Sequence, residues 1–254
     1  MTLPVRRIRD LSVLSLDEDR LLVVACDSIG SIGDKPHDTY AASPETTAHF
    51  ALRVPLLEAW CAGGVVELVV DTLGVEREPT GGRMIEQILR DCDAVGIGPD
   101  RVTGSTEDNV VTVSTGIGVT VIAVTSPDAF APGSSRSGDL VLCLGHPTSA
   151  PDDRIDIGDR RMVPLAAVQA VRGLEGVHDM VPVGSHGLAY EVDQLADSAS
   201  LRADLDAPDG WDLAKSGGPS SCVIVSIAAE ALDECIGLLP DDLPWCTLGT
   251  LVPR

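Results

Sequence analysis

The sequence predicts an α/β (α+β) fold made of two lobes. Apolar runs of strand length alternate with helical segments along the whole chain, and no segment is repeated. Residues 126–138 are rich in Ser, Gly and Pro, which is typical of a linker. A chain of 254 residues can bury the cores of two modest domains. We therefore expect an N-terminal domain over residues 1–130 and a C-terminal domain over residues 138–254.

The first lobe is expected to begin with a β-hairpin. Residues 11–16 and 21–26 have strand character, and the acidic residues 17–19 form the turn between them. Asp10 then lies at the start of one strand and Asp27 at the end of the other. In an antiparallel pair these positions meet at one edge, so the two carboxylates should converge.

A helix and a strand should follow the hairpin. The helix begins at Pro44 and runs to about Ala62, and Pro55 should kink it or end its first part. Two glycines then stop the helix. Residues 65–70 are an apolar, β-branched run that predicts a strand ending at Asp71.

The first lobe should end with a second helix and a long strand. Residues 83–95 carry apolar side chains at helical spacing. Residues 110–125 are rich in β-branched side chains and predict a central strand. Gly116 and Gly118 interrupt it and indicate a bend or a close backbone contact.

The second lobe shows the same alternation. We expect strands over residues 139–144, 177–183, 222–227 and 244–251, and helices over residues 164–173, 188–196 and 228–238. Aromatic residues make up only 3 % of the chain, so both cores must rest on Val, Leu, Ile and Ala.

Composition excludes several classes of partner. The net charge of −21 argues against nucleic acid and against anionic membranes, because both require a positive field. No apolar run reaches transmembrane length, and the N-terminus lacks the apolar segment of a signal peptide. The seven cysteines include no CxxC pair, and most lie in apolar runs. We therefore expect a cytoplasmic, reduced protein.

A glycine-rich stretch from Asp27 to Lys35 is the first candidate for a binding site. Gly30 and Gly33 would let backbone N–H groups approach a phosphate, and Lys35 would neutralise it. Lys35 is one of only two lysines in the chain, the other being Lys215. The alternative is a tight surface turn with an incidental charge.

Four acidic residues are the candidate metal ligands. They end predicted strands or lie in glycine-containing turns: Asp10, Asp27, Asp71 and Glu107. Mg2+ prefers oxygen ligands and binds through carboxylates together with substrate phosphates. The sequence has no Walker A motif, no kinase signature and no Rossmann fingerprint, so an ATP site here must be of another kind.

Several motifs together resemble aminoimidazole ribonucleotide synthetase and its relatives, the PurM-like superfamily. The stretch from Asp27 to Lys35 is similar to the Asp-Gly-Val-Gly-Thr-Lys loop of that enzyme, and Gly104–Asn109 is similar to its Gly-Gly-Glu-Thr-Ala-Glu segment. Asp10 matches the N-terminal aspartate of thiamine-monophosphate kinases. The helix before Gly63-Gly64 and the glycine turn at residues 184–187 also follow the family order. The resemblance covers nearly the whole chain.

The resemblance implies an ATP- and Mg2+-dependent enzyme that phosphorylates an oxygen of a small acceptor. It implies a homodimer in which the N-terminal lobes pair their sheets. By position it makes Ser105, Thr106 and Asn109 nucleotide-binding residues beside Gly30, Gly33 and Lys35. The four carboxylates would hold metal.

Departures from the family pattern reduce the number of branches of the superfamily that the sequence can resemble. The usual Asn-Asp pair of the first helix is replaced by Arg53 and Val54, and the second lobe is shortened. The glycine-rich loop has no cysteine, and no cysteine follows Pro253-Arg254, unlike selenophosphate synthetases and the hydrogenase-maturation dehydratase. The pattern most resembles the short synthetase-related branch, which includes the α-ribazole kinases of cobalamin salvage. The alternatives are a ligase of the synthetase type and a non-catalytic nucleotide-binding regulatory protein.

Other polar residues allow two interpretations each. His186 could contact the acceptor or be an exposed turn residue, and Arg53 could bind a ligand or form an internal salt bridge. His49 is interpreted as structural or interfacial. The adjacent His178 and Asp179 should face opposite sides of a strand, which argues against an acid–base pair. Residues 216–221 could bind phosphate, but a flexible loop is favoured.

Overall fold

The structure of the protein is a computed structural model that describes residues 3–254. It divides into two compact units. The first contains the described residues through Ala59 together with Val65–Thr125, and the second contains Trp60–Gly64 and Ser126–Arg254. Each unit has its own sheet, one mixed and one antiparallel. The expected α/β (α+β) class is therefore confirmed.

The first unit contains eight strands and two α-helices among its described residues. In chain order they are β1 (Val5–Ile8), β2 (Leu11–Ser15), β3 (Leu21–Gly30), β4 (Ile32–Gly33), β5 (Tyr40–Ala41), α1 (Pro44–Cys61), β6 (Val65–Leu73), α2 (Gly82–Ala94), β7 (Val102–Ser105) and β8 (Gly116–Thr125). Six of the strands form one sheet in the order β1-β2-β3-β8-β6-β7, and β4 and β5 form a small parallel pair. Only the β6–β7 contact is parallel within the six-stranded sheet.

Alternation of side chains gives this sheet one buried face. Along β8, residues from Ile117 to Thr125 at every second position are buried, and the residues between them are half-exposed. On β3, Val23 and Ala25 lie on the same buried face. The expected hairpin of β2 and β3 is confirmed.

Several boundaries differ from the sequence predictions. β8 begins at Gly116, and residues 110–115 form an extended loop, so the prediction of a strand from residue 110 is wrong. α1 continues through Pro55, which is buried, without a break. Asp27 and Asp71 lie inside β3 and β6 rather than at their ends. The short strands β1 and β7 were not predicted, because each has only four residues.

The second unit has a five-stranded antiparallel sheet in the order β10-β12-β9-β13-β11. Its elements are β9 (Leu140–Leu144), α3 (Leu165–Arg172), β10 (Val177–Pro182), α4 (Gly187–Ser198), β11 (Leu201–Leu205), β12 (Val223–Ile227), α5 (Leu232–Gly237) and β13 (Trp245–Pro253). All four predicted strands are present, and β11 was missed although its apolar and polar residues alternate. α5 is shorter than expected because the segment before it is a 3-10 turn over Ala229–Ala231.

The cysteines are all unpaired, and six of the seven are buried. Cys26 is the exposed one. The prediction that most cysteines serve as small buried apolar residues is confirmed. Among the residues that the structure describes, no helix is both long enough and apolar enough to cross a membrane.

Candidate functional site

A pocket of about 380 Å³ lies in the first unit, beside the β6–β7 edge of the sheet. It combines acidic, basic and hydroxyl side chains with an apolar wall from α2 and the segment before β7. The lining residues are Asp71, Arg77, Ile85, Leu89, Pro99, Val102, Thr103, Gly104, Ser105 and Thr106. The volume suits a small molecule, since ligand pockets begin at about 300 Å³.

Asp71 is the most unusual group in this pocket. Its side chain is 2 % exposed, and its Oδ1 atom has no hydrogen-bond partner within residues 3–254. Burial raises the pKa of Asp71 to about 6. A buried carboxylate without a partner carries a large desolvation penalty, so such a group usually awaits a proton, a cation or a donor.

Gly104 makes room for this carboxylate. It pairs with Asp71 across the β6–β7 contact. A Cβ atom at residue 104 would lie 2.1 Å from Asp71 Oδ1 and 2.3 Å from its carbonyl oxygen. Only glycine fits at this distance, so the position of Asp71 in the pocket depends on the residue opposite it.

Asp27 lies in the same row of the sheet as Asp71. Val119 of β8 pairs with Asp27 on one side and with Asp71 on the other. Residues that pair across a sheet share a face, so both carboxylates lie on the buried face, two strands apart. That separation is about 10 Å between backbones, given about 4.8 Å per strand.

Asp10 adds a third negative charge near this row. Burial raises the pKa of Asp27, the charge of Asp10 raises it further, and the N–H of Ser28 opposes both. Asp10 itself is exposed, and its convergence with Asp27 on one metal ion stays a prediction. Among the described residues, no three His, Cys, Asp or Glu side chains are close enough together to hold one metal ion by themselves.

Glu107 lies in a turn after β7, and it forms hydrogen bonds that stabilise this turn. Its N–H donates to the carbonyl of Val75, and its Oε1 accepts the N–H of Asn109 at 2.8 Å. Thr106 donates its hydroxyl to Asp108 Oδ2 at 2.9 Å. The segment is therefore ordered by its own polar groups, beside a pocket that includes Thr106.

The glycine-rich stretch has more regular structure than expected. β3 runs to Gly30, and Ser31 takes a left-handed conformation with φ of 59° before β4. A Cβ atom at Gly30 would meet nothing within 4 Å. At Gly33 it would lie 2.1 Å from Thr115 Oγ1 and 2.5 Å from Asp38 Oδ2. Gly33 is thus required by internal packing, whereas Gly30 faces open space.

Lys35 is engaged in an ion pair. Its ammonium lies 2.6 Å from Glu76 Oε2 and 3.2 Å from the carbonyl of Thr112, and its side chain is 10 % exposed. Thr112 and Thr80 donate hydroxyl hydrogen bonds to the two oxygens of Glu76. Burial alone would raise the pKa of Glu76, but Lys35 and the two hydroxyls lower it to about 2. A phosphate would have to compete with Glu76 for this lysine.

Asp38 ties the glycine-rich stretch to the loop before β8. It accepts the N–H and the hydroxyl of Thr115, both at 2.7 Å, and the N–H of Lys35 at 2.8 Å. Ser114 donates a further hydrogen bond at 3.1 Å. Burial opposes ionisation, yet these donors together lower the pKa of Asp38. Asp38 gives no local sequence signal, because its main partner is 77 residues away along the chain.

Two of the histidines have internal roles. His49 contacts Asp91 of α2 at 2.9 Å, in agreement with a structural role. His178 pairs with Asp139 at 2.8 Å, whereas Asp179 accepts the N–H of Gly133. The argument against a His178–Asp179 pair is thus confirmed.

The other residues with two interpretations do not line this pocket. Arg53 is 3 % exposed and interacts with neighbouring groups. His186 is exposed, and its ring lies 4.6 Å from that of Tyr190. Residues 216–221 pack closely, since a Cβ atom at Gly217 would lie 2.4 Å from the carbonyl of Val183. This glycine is therefore required by packing, whereas the flexibility and phosphate binding of the segment stay predictions.

The sequence matches no family model and no curated protein. Solved structures with a similar fold include PurL from Thermotoga maritima complexed with ATP, at a TM-score of 0.71 and 15 % identity. The match covers 99 % of this chain and 44 % of PurL, so the chain spans less than half of that protein.

Two further matches cover a larger share of the solved protein's own length. Thiamine monophosphate kinase (ThiL) from Aquifex aeolicus, complexed with AMPPCP and TMP, has a TM-score of 0.64 and 14 % identity over 96 % of this chain and 85 % of its own. The hydrogenase maturation protein HypE in complex with ATP has a TM-score of 0.66 and 13 % identity over 91 % and 77 %. The chain has the fold of these three proteins, so the PurM-like fold predicted from the sequence is confirmed.

Proposed function

We propose that this protein is a Mg2+- and ATP-dependent phosphotransferase that acts on a small acceptor molecule. The observation that carries the proposal is the buried, unpartnered Asp71 carboxylate in a pocket with three hydroxyl side chains. A cation is the partner that such a carboxylate lacks. Solved proteins of the same fold are complexed with ATP or AMPPCP, which supports a nucleotide as the ligand.

The residues present fit a magnesium ion that is shared with phosphates. Mg2+ is usually held by one or two carboxylates, with phosphates and water supplying the other ligands. Asp71 offers a free oxygen, Asp27 lies in the same row, and Glu107 and Asp10 are the further candidates. When bound, the ion would neutralise charge on the transferring phosphoryl group.

The phosphate side of the site is proposed to include Gly30 and Gly33, the Ser105–Asn109 turn and Lys35. Gly30 has the open space that a close approach of a phosphate needs. Ser105 and Thr106 contribute hydroxyl groups at the pocket wall, and Asn109 belongs to the same turn. Lys35 would join only after exchanging Glu76 for a phosphate oxygen.

The acceptor is proposed to be α-ribazole or a similar nucleoside-like alcohol. The test is Mg2+-dependent release of ADP from ATP in the presence of α-ribazole, TMP or FGAR. We expect stimulation by α-ribazole, and dependence of that stimulation on Asp71. Tight ATP binding with no stimulation by any acceptor would contradict the kinase proposal.

Two other functions remain as alternatives with distinct outcomes. A ligase, the alternative that includes the aminoimidazole ribonucleotide synthetase type, would release ADP with a ligase substrate such as FGAR, which is bound in a solved PurL structure, and not with α-ribazole. A non-catalytic nucleotide-binding regulator would bind ATP without turnover. Arg53, which stands where the family has a metal-ligand pair, keeps this last alternative open.

A homodimer through the N-terminal lobe is also proposed. The second face of the six-stranded sheet is apolar and only half-buried, with Leu14, Leu22, Val24, Ile122 and Val124 on it. A second copy of this sheet would cover it. Light scattering after gel filtration should give twice the mass of 26.5 kDa, and Ile122→Glu should give the monomer. A wild-type protein that is monomeric at micromolar concentration would contradict the dimer.

A further inference from the structure

Arg77 shares the pocket with Asp71, and its guanidinium is unpaired. It lines the pocket wall at the start of the turn before α2. Within residues 3–254 its side chain makes no hydrogen bond and no ion pair. The pocket therefore presents an unpartnered carboxylate and an unpartnered cation.

Several other cations of the first unit are paired, as expected in so acidic a chain. Five of them form ion pairs with carboxylates: Arg20 with Asp17, Lys35 with Glu76, Arg83 with Glu45, Arg90 with Glu86 and Arg101 with Glu67. With a net charge of −21, a free guanidinium has many possible acidic partners. Among the residues that the structure describes, Arg77 nevertheless forms no ion pair, and it is exposed at the wall of the pocket.

Asp108 is the acidic residue beside Arg77: the backbone N–H of Arg77, the hydroxyl of Thr106 and the charge of Arg77 lower its pKa. Asp108 Oδ1 accepts the backbone N–H of Arg77 at 2.9 Å, and its Oδ2 accepts the hydroxyl of Thr106. The carbonyl of Arg77 accepts the N–H of Gly82. The backbone of Arg77 is thus fixed from both sides, while Asp108 is occupied and the guanidinium stays available.

We propose that Arg77 binds the phosphate group of the ligand of this pocket. The inference rests on the proposed function and deepens it by naming the residue that receives the phosphate. A guanidinium forms two parallel hydrogen bonds to a phosphate, and the pocket adds the hydroxyls of Thr103, Ser105 and Thr106. Lys35 must break an ion pair to reach a phosphate, whereas Arg77 needs to break none.

The phosphate could belong to the nucleotide or to a phosphorylated acceptor. Calorimetric titration with ATP, inorganic pyrophosphate, adenosine and ribose 5-phosphate, in Mg2+ buffer, separates these sources. We expect Arg77→Ala to weaken the binding of ATP and of pyrophosphate by about tenfold to a hundredfold. This is the loss that accompanies one charge-assisted hydrogen bond. Adenosine should bind unchanged, and Arg77→Lys should give an intermediate loss because it keeps the charge.

The control is Arg90→Ala, which removes an exposed arginine from α2 outside the pocket lining. It should bind every probe like the wild type. A loss confined to ribose 5-phosphate supports the inference and assigns the phosphate to the acceptor. An Arg77→Ala variant that binds all phosphate probes within twofold of the wild type overturns it, as does an equal loss for adenosine, which would indicate a collapsed pocket.

The same titrations separate this inference from the proposed function. If the wild type binds pyrophosphate or ribose 5-phosphate but not ATP, the kinase proposal fails while the Arg77 comparison still tests phosphate binding. If the wild type binds no phosphate probe, both proposals are overturned.

Discussion

The carboxylate of Asp71 occupies the space that a side chain at residue 104 would need. The two residues pair across β6 and β7, and Oδ1 of Asp71 lies 2.1 Å from the position of a Cβ atom on Gly104. The glycine therefore determines where the carboxylate lies. The carboxylate in turn is buried without a partner, which makes it costly for the protein in the absence of a ligand.

Asp71→Asn is expected to stabilise the ligand-free protein at neutral pH. Burial raises the pKa of Asp71 to about 6, whereas an unfolded aspartate titrates near about 4. The folded state binds more protons between these values, so the free energy of unfolding falls as pH rises from about 4 to about 6 and stays low above that. Asparagine does not ionise, so it should raise the free energy of unfolding at pH 8 by about 1–3 kcal/mol.

Urea unfolding from pH 5 to pH 8, followed by circular dichroism, measures this effect. The difference between the variant and the wild type should grow with pH. Glu86→Gln, which alters an exposed carboxylate on α2, serves as the control and should show no such growth. A difference that is equal at pH 5 and pH 8 would show that Asp71 titrates normally.

Asp27→Asn should weaken the Mg2+-dependent part of ATP binding. Asp27 shares the buried face and the Val119 row with Asp71, so the two carboxylates can hold metal and phosphate between them. Removing one charged oxygen ligand should raise the Kd for ATP in Mg2+ by about tenfold or more. The Kd in EDTA should change much less.

The control for Asp27 is again Glu86→Gln, which should leave both constants unchanged. Equal losses with and without Mg2+ would remove Asp27 from the proposed metal ligands. The Asp71→Asn protein should behave like Asp27→Asn in binding, although its folded state is more stable. That opposite effect on stability and binding is the signature of a carboxylate held ready for a cation.

Lys35→Ala should weaken ATP binding far more than Lys215→Ala. Both lysines form ion pairs, Lys35 with Glu76 at 2.6 Å and Lys215 with Asp153 at 2.8 Å. They are therefore matched in local chemistry but lie in different units. The measurement is the Kd for ATP of each variant. Equal effects would show that the position of Lys35 in the glycine-rich stretch has no functional meaning.

Loss of Lys35 also leaves Glu76 without its cation, so stability must be controlled. The double variant Lys35→Ala with Glu76→Gln removes both charges and should recover most of the thermal stability lost by Lys35→Ala alone. We expect it not to recover ATP binding. Recovery of binding together with stability would identify Lys35 as a structural residue.

The sequence predicted the parts of the fold that depend on local pattern. Strands that are apolar runs in the sequence, such as β2, β3 and β12, lie close to their expected positions, as do the helices α1 and α2. Residues 110–115 have the composition of a strand but form a loop, because their polar groups bind Asp38 and Glu76 instead of a neighbouring strand. Composition alone cannot distinguish these outcomes.

The candidate site was predicted only in part, because its geometry depends on contacts between segments that are distant in sequence. The acidic residues could be identified because they flank predicted strands or lie in glycine-containing turns. The register that aligns Asp27 with Asp71 depends on pairings of both with β8, which begins more than 40 residues after Asp71. Arg77 gives no local signal, because its importance comes from an unpaired guanidinium in a pocket formed by distant segments.

Gly30→Ala and Gly104→Ala test the two ways in which a glycine can serve this site. A Cβ atom at residue 30 meets nothing within 4 Å, so Gly30→Ala should change the free energy of unfolding by less than about 0.5 kcal/mol. At residue 104 it overlaps both Asp71 Oδ1 and the backbone of β6, so Gly104→Ala should cost about 1–3 kcal/mol. Hydrogen exchange of β6 and β7 amides should increase only in the second variant.

Binding should separate the two variants in a different way. Gly30→Ala should weaken ATP binding although folding is intact, because the new methyl group occupies the space proposed for a phosphate. Unchanged ATP affinity would mean that no phosphate approaches Gly30. Gly104→Ala should lose mainly the Mg2+-dependent part of binding, because the displaced carboxylate is Asp71. If it keeps full Mg2+ dependence, the oxygen of Asp71 that Gly104 accommodates does not hold the metal.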